Sequence, residues 1–570
     1  MKRLVKMLVT GVSALSIVTS CQEQSESNFV DVDKDLPSYI LDKSNKEGEK
    51  NDDKIDDYYH IFVPQFADSN GDGIGDLQGI IDKLDYLRKK GDPYGLGSLG
   101  VNGIFLSPIH KATSYHKYDV IDLESIDPQF GTMEQFETLI DQAHQRGLKV
   151  IIDTVLNHSS IDNALFKKAI EGLKTSTAHD ENGRPSKELV EKYPEIDYFR
   201  FIYRGSSFSD YSNRIYETNV GDWLFEGFSQ TMPDWNLDNS KVRQIHSDYL
   251  RFWSEKGVDG FRLDAVKSYY GEEAVDLNKN FEYINYIESE AKKFNPDVYI
   301  VAEGPWSFAE CREYVKNTNI DSYFDFQTSV NSLPSHYSFP FNAIRNGKFN
   351  SEKFETLYGY NEEESEINST HIDCYFNSNH DVGRINNQFV SQGNYLLEKM
   401  KFFYSLMACF SGNYFTYYGD EIGLMGVKQG SDDRYCRAPF NWGDSYTPKE
   451  LVQGQNDNQK KYSGSYLDQV NDPDSSFNFF RRFYAFRHMN PAIQAGKVVE
   501  VKSLTDRVVQ IEKKYLDKTV YLFVNTSPEE NYSLKQGELK LVDCLSATTY
   551  SYLEDGNIVL SPLSVTYIEQ

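Results

Sequence analysis

Three acidic side chains follow three strand-like segments of the chain. They are Asp264 in DGFRLDAVKS, Glu303 in VYIVAEGPW and Asp381 in CYFNSNHDVGR. The residues before each carboxylate are mostly apolar, β-branched or aromatic, a composition that predicts a β-strand. Barrels of parallel strands carry their working groups at the carboxyl ends of the strands, so the three carboxylates could meet at one point. Two such carboxylates, acting as nucleophile and acid, are what cleavage of a glycosidic bond requires.

The residues around the carboxylates suit such a reaction. Arg262 lies two residues before Asp264, so both side chains leave the predicted strand on the same side. A fixed Arg beside a carboxylate keeps it ionised, as a nucleophile must be. Glu303 should instead carry a proton at rest, because it must give one to the leaving oxygen. Each acid alone is more often a surface carboxylate or a helix cap, whereas the ordered set at strand ends favours a catalytic site.

The elements that would position these residues alternate along the chain from Tyr58 onward. Amphipathic helices fall between several strand candidates, and one helix begins with Thr132 and Gln135 at the spacing of a capping box. Eight strands in this pattern predict an α/β fold, a (β/α)8 TIM barrel rather than an open sheet. The strand candidates are Tyr59–Val63, Gly103–Ser107, Lys149–Asp153, Gly260–Leu263, Val298–Ala302, Ser322–Phe326, Cys374–Ser378 and Tyr414–Tyr418.

Two parts of the chain depart from this alternation. The connection between Asp153 and Ser240 is far longer than the others, which is typical of an inserted lobe that walls a cleft. After Pro491 the pattern changes to short alternating runs, which predict a small all-β domain. The expected domains are a barrel from 58–157 and 239–492, an inserted lobe after strand 3 at 158–238, and a C-terminal β-sandwich at 493–570.

Composition excludes one class of partner. The 570 residues include 59 basic and 86 acidic side chains, which gives a net charge of −27. A surface that negative repels phosphate backbones, so we expect no nucleic acid partner, and a neutral substrate suits it better. The five cysteines beyond Cys21 are scattered without a Cys-x-x-Cys pair, so their spacing argues against zinc.

The N-terminal segment indicates export. A basic start precedes an apolar stretch at 7–18 that is too short to span a bilayer comfortably. Cys21 follows directly and resembles the lipidated residue of the bacterial lipoprotein processing box, with an ordinary signal peptide and a chance Cys as the alternative. We expect a signal peptide at 1–21, a polar and disordered tether at 22–57, and an exported lipoprotein of the outer membrane.

Further blocks complete a recognisable pattern. They are GVNGIFLSPI, SYHKYDVIDLESIDPQFGT (114–132), MPDWN (232–236), YGDEIGL (418–424) and RAPFNW (437–442). With the three acidic segments, they resemble the α-amylase family of glycoside hydrolases, family 13, over nearly everything from Tyr58 to Gln570. The resemblance implies that Asp264 is the nucleophile, Glu303 the general acid/base and Asp381 the stabiliser of the transition state.

The resemblance also implies how a sugar would be held. Arg262 would orient Asp264, and Tyr118 would stack under the sugar at the cleaved bond, with Asp119 bracing the site. His158 and His380 would bind hydroxyls of that sugar. Lys267 would reach the sugar on the leaving side.

The activity so implied is that of a retaining α-glucan hydrolase, which cleaves α-1,4-glucosidic bonds of starch or maltooligosaccharides by double displacement. Val266 and Lys267 after the nucleophile resemble the α-1,4-cleaving members. A neopullulanase or a glucanotransferase of the same family remains an alternative, and so does a non-catalytic surface glycan-binding lipoprotein. The acidic tether resembles those of glycan-harvesting surface lipoproteins, so the expected partners are a starch-like glucan, the membrane and other glycan-uptake proteins.

The loop DSNGDGIGD (68–76) indicates a metal site. Its oxygen donors alternate as in a calcium loop, but the twelfth position is Gly79 instead of Glu, and a hydrogen-bonded Asx-turn loop fits the spacing equally well. The resemblance to the family favours Ca²⁺, with Mg²⁺ as an alternative. Ser268 stands where many members have His, which puts a second calcium site in doubt. The expected ligands are Asp68, Asn70, Asp72, Ile74 and Asp76.

Overall fold

The computed structural model describes residues 29–42, 54–206, 214–271, 277–305, 307–329, 358 and 363–570. The expected signal peptide and Cys21 lie outside the described residues.

Eight parallel strands close into a barrel, which confirms the predicted fold class. Going around the barrel the order is β1, β8, β7, β6, β5, β4, β3, β2, so each strand pairs with its neighbours in the chain and the last strand pairs with the first. The strands are β1 Asp57–Ile61, β2 Gly103–Leu106, β3 Lys149–Thr154, β4 Gly260–Leu263, β5 Tyr299–Ala302, β6 Ser322–Asp325, β7 Cys374–Phe376 and β8 Asn413–Tyr417.

The barrel strands are buried on both faces, and this explains their sequences. All residues of β1, β2, β4, β5, β7 and β8 are buried, as expected where side chains fill the barrel on one face and helices cover the other. The predicted capping box is present: Gln135 donates its backbone N–H to Thr132 Oγ1 at 3.2 Å, and its side-chain oxygen accepts from the Thr132 N–H. The main barrel helices are Leu77–Asp82, Leu84–Leu87, Met133–His144, Ser240–Glu255, Leu277–Phe294, Phe308–Asn317, Leu397–Ala408 and Ser476–His488.

The long connection after β3 forms a lobe with its own antiparallel sheet. Phe166, Phe199 and Phe225 pack in its interior, and Trp235 stacks on Phe199 with ring centroids 4.5 Å apart. The ring of Trp235 also meets His246 of the barrel, so the lobe is joined to the barrel through a buried aromatic contact. The elements of the lobe are helices Ala164–Leu173 and Lys187–Lys192 and strands Phe201–Tyr203, Ile215–Val220, Trp223–Ser229 and Met232–Pro233.

Two antiparallel sheets form the C-terminal domain. Phe523 and Ile568 of the larger sheet share one apolar cluster with Ile558 and Leu560 of the smaller sheet, as in a sandwich. The larger sheet consists of Lys497–Ser503, Val508–Tyr515, Lys518–Asn525, Ser564–Glu569 and Lys540–Ser546. The smaller consists of Tyr532–Lys535, Asn557–Leu560 and Tyr552–Glu554.

Residues 29–42 form an ordered strap, which corrects the expectation of disorder for this part of 22–57. Val32 is buried, and Asp33 forms an ion pair with Arg481 at 2.9 Å. The hydroxyl of Tyr39 donates to the carbonyl of Ser551 in the C-terminal domain at 2.5 Å. The strap therefore bridges the barrel helix Ser476–His488 and the C-terminal domain, and polar composition alone concealed these few specific contacts.

The α-helices of the described residues are 4 to 18 residues long. None of them combines the length and apolarity that crossing a bilayer demands.

Candidate active site

Asp264, Glu303 and Asp381 line one cavity of about 630 Å³ at the carboxyl end of the barrel. Asp264 directly follows β4 and Glu303 directly follows β5, while Asp381 lies in the loop after β7. The other lining residues come from the loops after β2, β3, β4, β5 and β8 and from the lobe. They are His116, Tyr118, His158, Phe228, Met232, Ala265, Val266, Lys267, Ser268, Gly304, Asp433 and Arg437.

The first two carboxylates are held at the same level of neighbouring strands. Leu263 and Ala302 are paired in the register of β4 and β5, so the next residue of each strand carries a carboxylate. The Glu303 N–H donates to the Leu263 carbonyl at 2.9 Å and continues the ladder past the strand end. Ala265 then adopts φ +50°, a left-handed conformation that is unfavourable for a residue with a Cβ. This turn aims its N–H at Glu303 Oε2, 2.9 Å away.

Arg262 joins the carboxylates from below. Its Nη1 lies 2.5 Å from Asp264 Oδ1 and 2.9 Å from Asp153 Oδ1, and its Nη2 lies 3.2 Å from Glu303 Oε2. The guanidinium is 2% exposed, so water screens these contacts little. The contact with Asp264 agrees with the spacing of the two residues in the sequence, whereas the contacts with Asp153 and Glu303 have no such sequence signal.

Burial dominates the titration of Asp264. It raises the pKa of Asp264 well above the ordinary value; Arg262 opposes the shift, and the negative charges of Glu303 and Asp153 add to it. Among the neighbours with the largest influence on Asp264, Arg262 alone favours its ionised form.

Asp381 has the opposite environment. His380 Nε2 lies 2.9 Å from its Oδ2, and Arg437 Nη2 lies 3.1 Å from its Oδ1. Burial would raise the pKa of Asp381, but these two neighbours hold it well below the usual range. The side chain keeps 37% exposure to the cavity, so an ionised carboxylate faces whatever binds there.

A buried polar network lies behind the cavity wall. The hydroxyl of Tyr118 donates to Asp153 Oδ2 at 2.7 Å and lies 2.6 Å from His380 Nε2. The rings of Tyr118 and His380 stack with centroids 5.3 Å apart. Asp153 thus connects Arg262, which contacts Asp264 and Glu303, with Tyr118. Tyr118 in turn contacts His380, the neighbour of Asp381, so one network links the surroundings of all three cavity carboxylates.

The remaining predicted sugar ligands divide into two groups. His158 and Lys267 line the cavity, and burial lowers the pKa of His158 to about 3, so its imidazole is neutral. Asp119 does not line the cavity. It accepts hydrogen bonds from the backbone and hydroxyl groups of Ser114 and Thr113 and so braces the loop that carries Tyr118.

The predicted metal loop follows β1. Asp68 Oδ2 accepts the Gly73 N–H at 2.7 Å, and Asp76 Oδ1 accepts the Gly79 N–H at 2.7 Å. The donor set of carboxylates, an amide and a carbonyl supplies only oxygen, which fits Ca²⁺ or Mg²⁺. Among the described residues, the one group of three Asp, Glu, His or Cys ligand atoms within 4.8 Å of one another lies outside this loop. A metal ion in the loop would therefore also need Asn70, the Ile74 carbonyl and water as ligands.

Comparison with known proteins identifies the family. A sequence model of the alpha-amylase catalytic domain matches residues 60–496. The chain belongs to the alpha-amylase family. It is 32% identical to "Alpha-amylase 3" of Dictyoglomus thermophilum over 521 residues, which cover 90% of this chain and 92% of that protein. It is 31% identical to an oligo-1,6-glucosidase of Heyndrickxia coagulans over 396 residues, covering 64% of this chain and 66% of that protein.

A solved structure gives the same result. The structure of Eubacterium rectale Amy13B covers 93% of this chain and 98% of its own, with a TM-score of 0.79 and 29% identity. This alpha-amylase family member is therefore a glycoside hydrolase.

Three features of the alpha-amylase family site were not assigned from the sequence. Arg437 lies in the quoted block RAPFNW, yet its contact with Asp381 joins residues 56 positions apart in the chain. The left-handed turn at Ala265 has no sequence signal, because Ala is not a residue that marks such turns. Phe228 stacks on His158 with ring centroids 4.8 Å apart and provides an aromatic side chain from the lobe at the cavity wall.

Proposed function

We propose that this alpha-amylase family member hydrolyses α-1,4-glucosidic bonds of starch-like glucans or maltooligosaccharides with retention of configuration. The observation that carries the proposal is the pair Asp264 and Glu303 on neighbouring strands, both in contact with one guanidinium. Neighbouring strands lie about 4.8 Å apart, which favours the carboxyl separation of about 5–5.5 Å typical of retaining enzymes over the about 6.5–9.5 Å of inverting ones.

The proposed mechanism is a double displacement. Asp264, in the ionised form that Arg262 favours, attacks the anomeric carbon while Glu303 gives its proton to the departing glycosidic oxygen, and the leaving chain departs as an alcohol. Glu303, now a carboxylate, takes a proton from water, whose oxygen displaces Asp264 and releases the sugar. Asp381, ionised through His380 and Arg437, faces the positive charge that develops at the ring in both steps.

The cavity walls would orient the sugar. Tyr118 from the barrel and Phe228 from the lobe offer aromatic rings at the cavity wall. The neutral His158 and the ammonium of Lys267 can hydrogen-bond to hydroxyl groups. The net charge of −27 suits an uncharged polymer.

A product time course tests the proposal and its alternatives. Amylose, pullulan and isomaltose are each incubated with the enzyme, and NMR follows the anomeric configuration of the first products. Rapid release of α-configured maltooligosaccharides from amylose is expected. The similarity to an oligo-1,6-glucosidase supports cleavage of α-1,6 bonds as the second candidate, and faster attack on isomaltose than on amylose would establish it. β-Configured first products would exclude retention, and no release from any substrate would support a non-catalytic glycan-binding protein.

Arg437 provides a prediction about pH. We expect Arg437→Gln to lower kcat by up to about 10²-fold, since Asp381 loses a positioning contact. Because Arg437 lowers the pKa of Asp381, its removal raises that pKa, and Asp381 becomes protonated at higher pH. The acidic limb of kcat/KM on maltooligosaccharides should therefore move to higher pH. Arg434→Gln, an exposed neighbour paired with Asp432, should keep the wild-type profile; an unmoved limb in Arg437→Gln contradicts the assigned role.

We also propose that the loop 68–76 binds Ca²⁺ and that the ion stabilises the connection after β1. EGTA should lower the melting temperature of the wild type, and added Ca²⁺ should restore it. Asp72→Ala should abolish this response, whereas Asp85→Asn, an exposed carboxylate outside the loop, should retain it. A response that survives in Asp72→Ala would place the ion elsewhere, and restoration by Mg²⁺ alone would identify the alternative metal.

The N-terminal expectation becomes a proposal of location. We infer that Cys21 carries a lipid and holds the enzyme on the outer membrane, near other glycan-uptake proteins. The basic start, the apolar stretch at 7–18 and the Cys that follows support it. Cys21→Ser should move the protein from the membrane fraction to the soluble fraction while its specific activity on starch stays unchanged. Equal membrane association of wild type and variant would contradict the lipid anchor.

A further inference from the structure

Glu364, His371 and Asp373 form a buried cluster between the helix Phe308–Asn317 and the start of β7. Their side chains are 10%, 3% and 14% exposed. His371 Nε2 lies 3.9 Å from Glu364 Oε2 and 4.0 Å from Asp373 Oδ1, and all three ligand atoms lie within 4.8 Å of one another. Among the described residues, this is the one such group of three potential metal ligands.

The histidine is not satisfied by the protein. Its Nδ1 is buried and has no hydrogen-bond partner among the residues that the structure describes. Its Nε2 faces both carboxylates at distances too long for a hydrogen bond. The three side chains line a small cavity of about 10 Å³, close to the space that one water-sized particle occupies. The gap between Nε2 and the two carboxylates is therefore wide enough to accommodate one small ion.

The charges around the cavity are unbalanced. Asp325 and Cys311 also line it, so three carboxylates and a thiol face one space. Arg312, which carries the positive charge nearby on the helix Phe308–Asn317, is itself paired with Glu363. Protons on the carboxylates would balance the cluster, and so would one divalent cation.

We propose that Glu364, His371 and Asp373 bind a divalent transition metal, with Zn²⁺ as the best match. Cys311 lines the same cavity, and its thiolate would become the fourth ligand by moving toward the three, because its sulfur is not within 4.8 Å of all of their ligand atoms. Two ligands each about 2.0–2.2 Å from zinc lie roughly 3.4 Å apart at a tetrahedral angle and further apart at wider angles. The observed separations of 3.9 and 4.0 Å therefore need only a small contraction. Nitrogen, carboxylate and sulfur donors together select zinc over calcium or magnesium.

The site would be structural. Four protein ligands leave no open position for a substrate, and none of the three clustered residues lines the active-site cavity. The ion would tie the helix that carries Cys311 to the segment that leads into β7, the strand before His380 and Asp381. The scattered cysteine spacing hid this site, because one cysteine joins residues more than fifty positions away.

Metal analysis of the purified full chain tests the proposal. The protein is stripped with EDTA and equilibrated with ZnCl₂ in the presence of excess Ca²⁺, and bound zinc is measured by mass spectrometry. We expect one zinc per chain and a higher melting temperature. His371→Gln and Glu364→Gln should each weaken zinc binding at least about 10-fold and lose the thermal response. His144→Gln, an exposed histidine outside the cluster, should behave as wild type.

Two readouts separate folding from binding. Circular dichroism and starch hydrolysis of each stripped variant show whether it is folded. If His371→Gln does not fold, Glu364→Gln takes its place in the test. The site would be overturned if the wild type and both variants bound the same amount of zinc, or if the wild type bound none. With Co²⁺ in place of zinc, a thiolate charge-transfer band that disappears in Cys311→Ser supports the fourth ligand. A cobalt spectrum without that band removes Cys311 from the proposal.

Discussion

Replacing Asp264 with Asn is expected to lower kcat on maltooligosaccharides by on the order of 10⁴-fold or more. The amide keeps the shape of the side chain but cannot form the covalent bond to the anomeric carbon. It also removes the negative charge next to Arg262, so the guanidinium keeps only Asp153 and Glu303 as anionic partners. Glucan affinity should remain close to that of the wild type, since the cavity walls are unchanged. Initial rates and calorimetric binding of maltoheptaose measure the two effects separately.

The matched control is Asp248→Asn, an exposed carboxylate on the helix Ser240–Glu255. It changes the same functional group at a distance from the cavity and should leave kcat unchanged. If Asp264→Asn retains normal turnover, the double displacement is wrong. If it loses glucan binding together with turnover, Asp264 holds the substrate rather than attacking it.

Arg487→Gln is expected to destabilise the protein by about 3–5 kcal/mol, because it leaves a buried carboxylate without its cation. Arg487 contacts both oxygens of Asp57 at 2.8 and 2.9 Å and donates to the carbonyls of Phe410 and Gly412, and both charged side chains are fully buried. The pair joins the first residue of β1 to the end of the helix Ser476–His488. Urea unfolding followed by tryptophan fluorescence measures the loss.

The pH dependence of this effect follows from Asp57. Burial would raise the pKa of Asp57, but Arg487 and His488 hold it well below the usual carboxyl range. A depressed pKa in the folded state stabilises the protein above the pKa of the unfolded chain, and this contribution is lost as the pH falls through the folded-state value. The difference between wild type and variant should therefore be largest near neutral pH and shrink in acid. Lys187→Gln, from an exposed pair with Glu191, should show no difference at any pH.

The barrel could be predicted from the sequence because its strands are buried on both faces. Such strands form continuous apolar runs, and each of the eight predicted runs overlaps an observed strand. In the C-terminal domain the edge strands Lys497–Ser503 and Tyr552–Glu554 are harder to recognise, because most of their residues are exposed and need not be apolar. Burial on both faces, rather than strand propensity, decided which strands could be recognised.

The site was only partly predictable for a related reason. The barrel fixes where residues at the ends of its strands lie, so the sequence alone predicts that Asp264 and Glu303 are close together. The position of Arg437 could not be predicted in this way, because it lies in a loop that reaches Asp381 only through tertiary packing. The cluster around His371 is similar in one respect: Glu364, His371 and Asp373 are close together in the chain, but only the fold brings Cys311 to the same cavity.

The strap at 29–42 has a consequence for how the enzyme can be attached. Its contacts with Arg481 and Ser551 lie on residues that take no part in the catalytic cavity. A linker attached before Phe29 would therefore join the protein at a site separate from the catalytic cavity. The linker could be a natural anchor or an engineered connection to a bead or sensor chip. A force applied through that linker would act first on the contacts of the strap. A long glucan could occupy the catalytic cavity without competing for the surface that the strap covers.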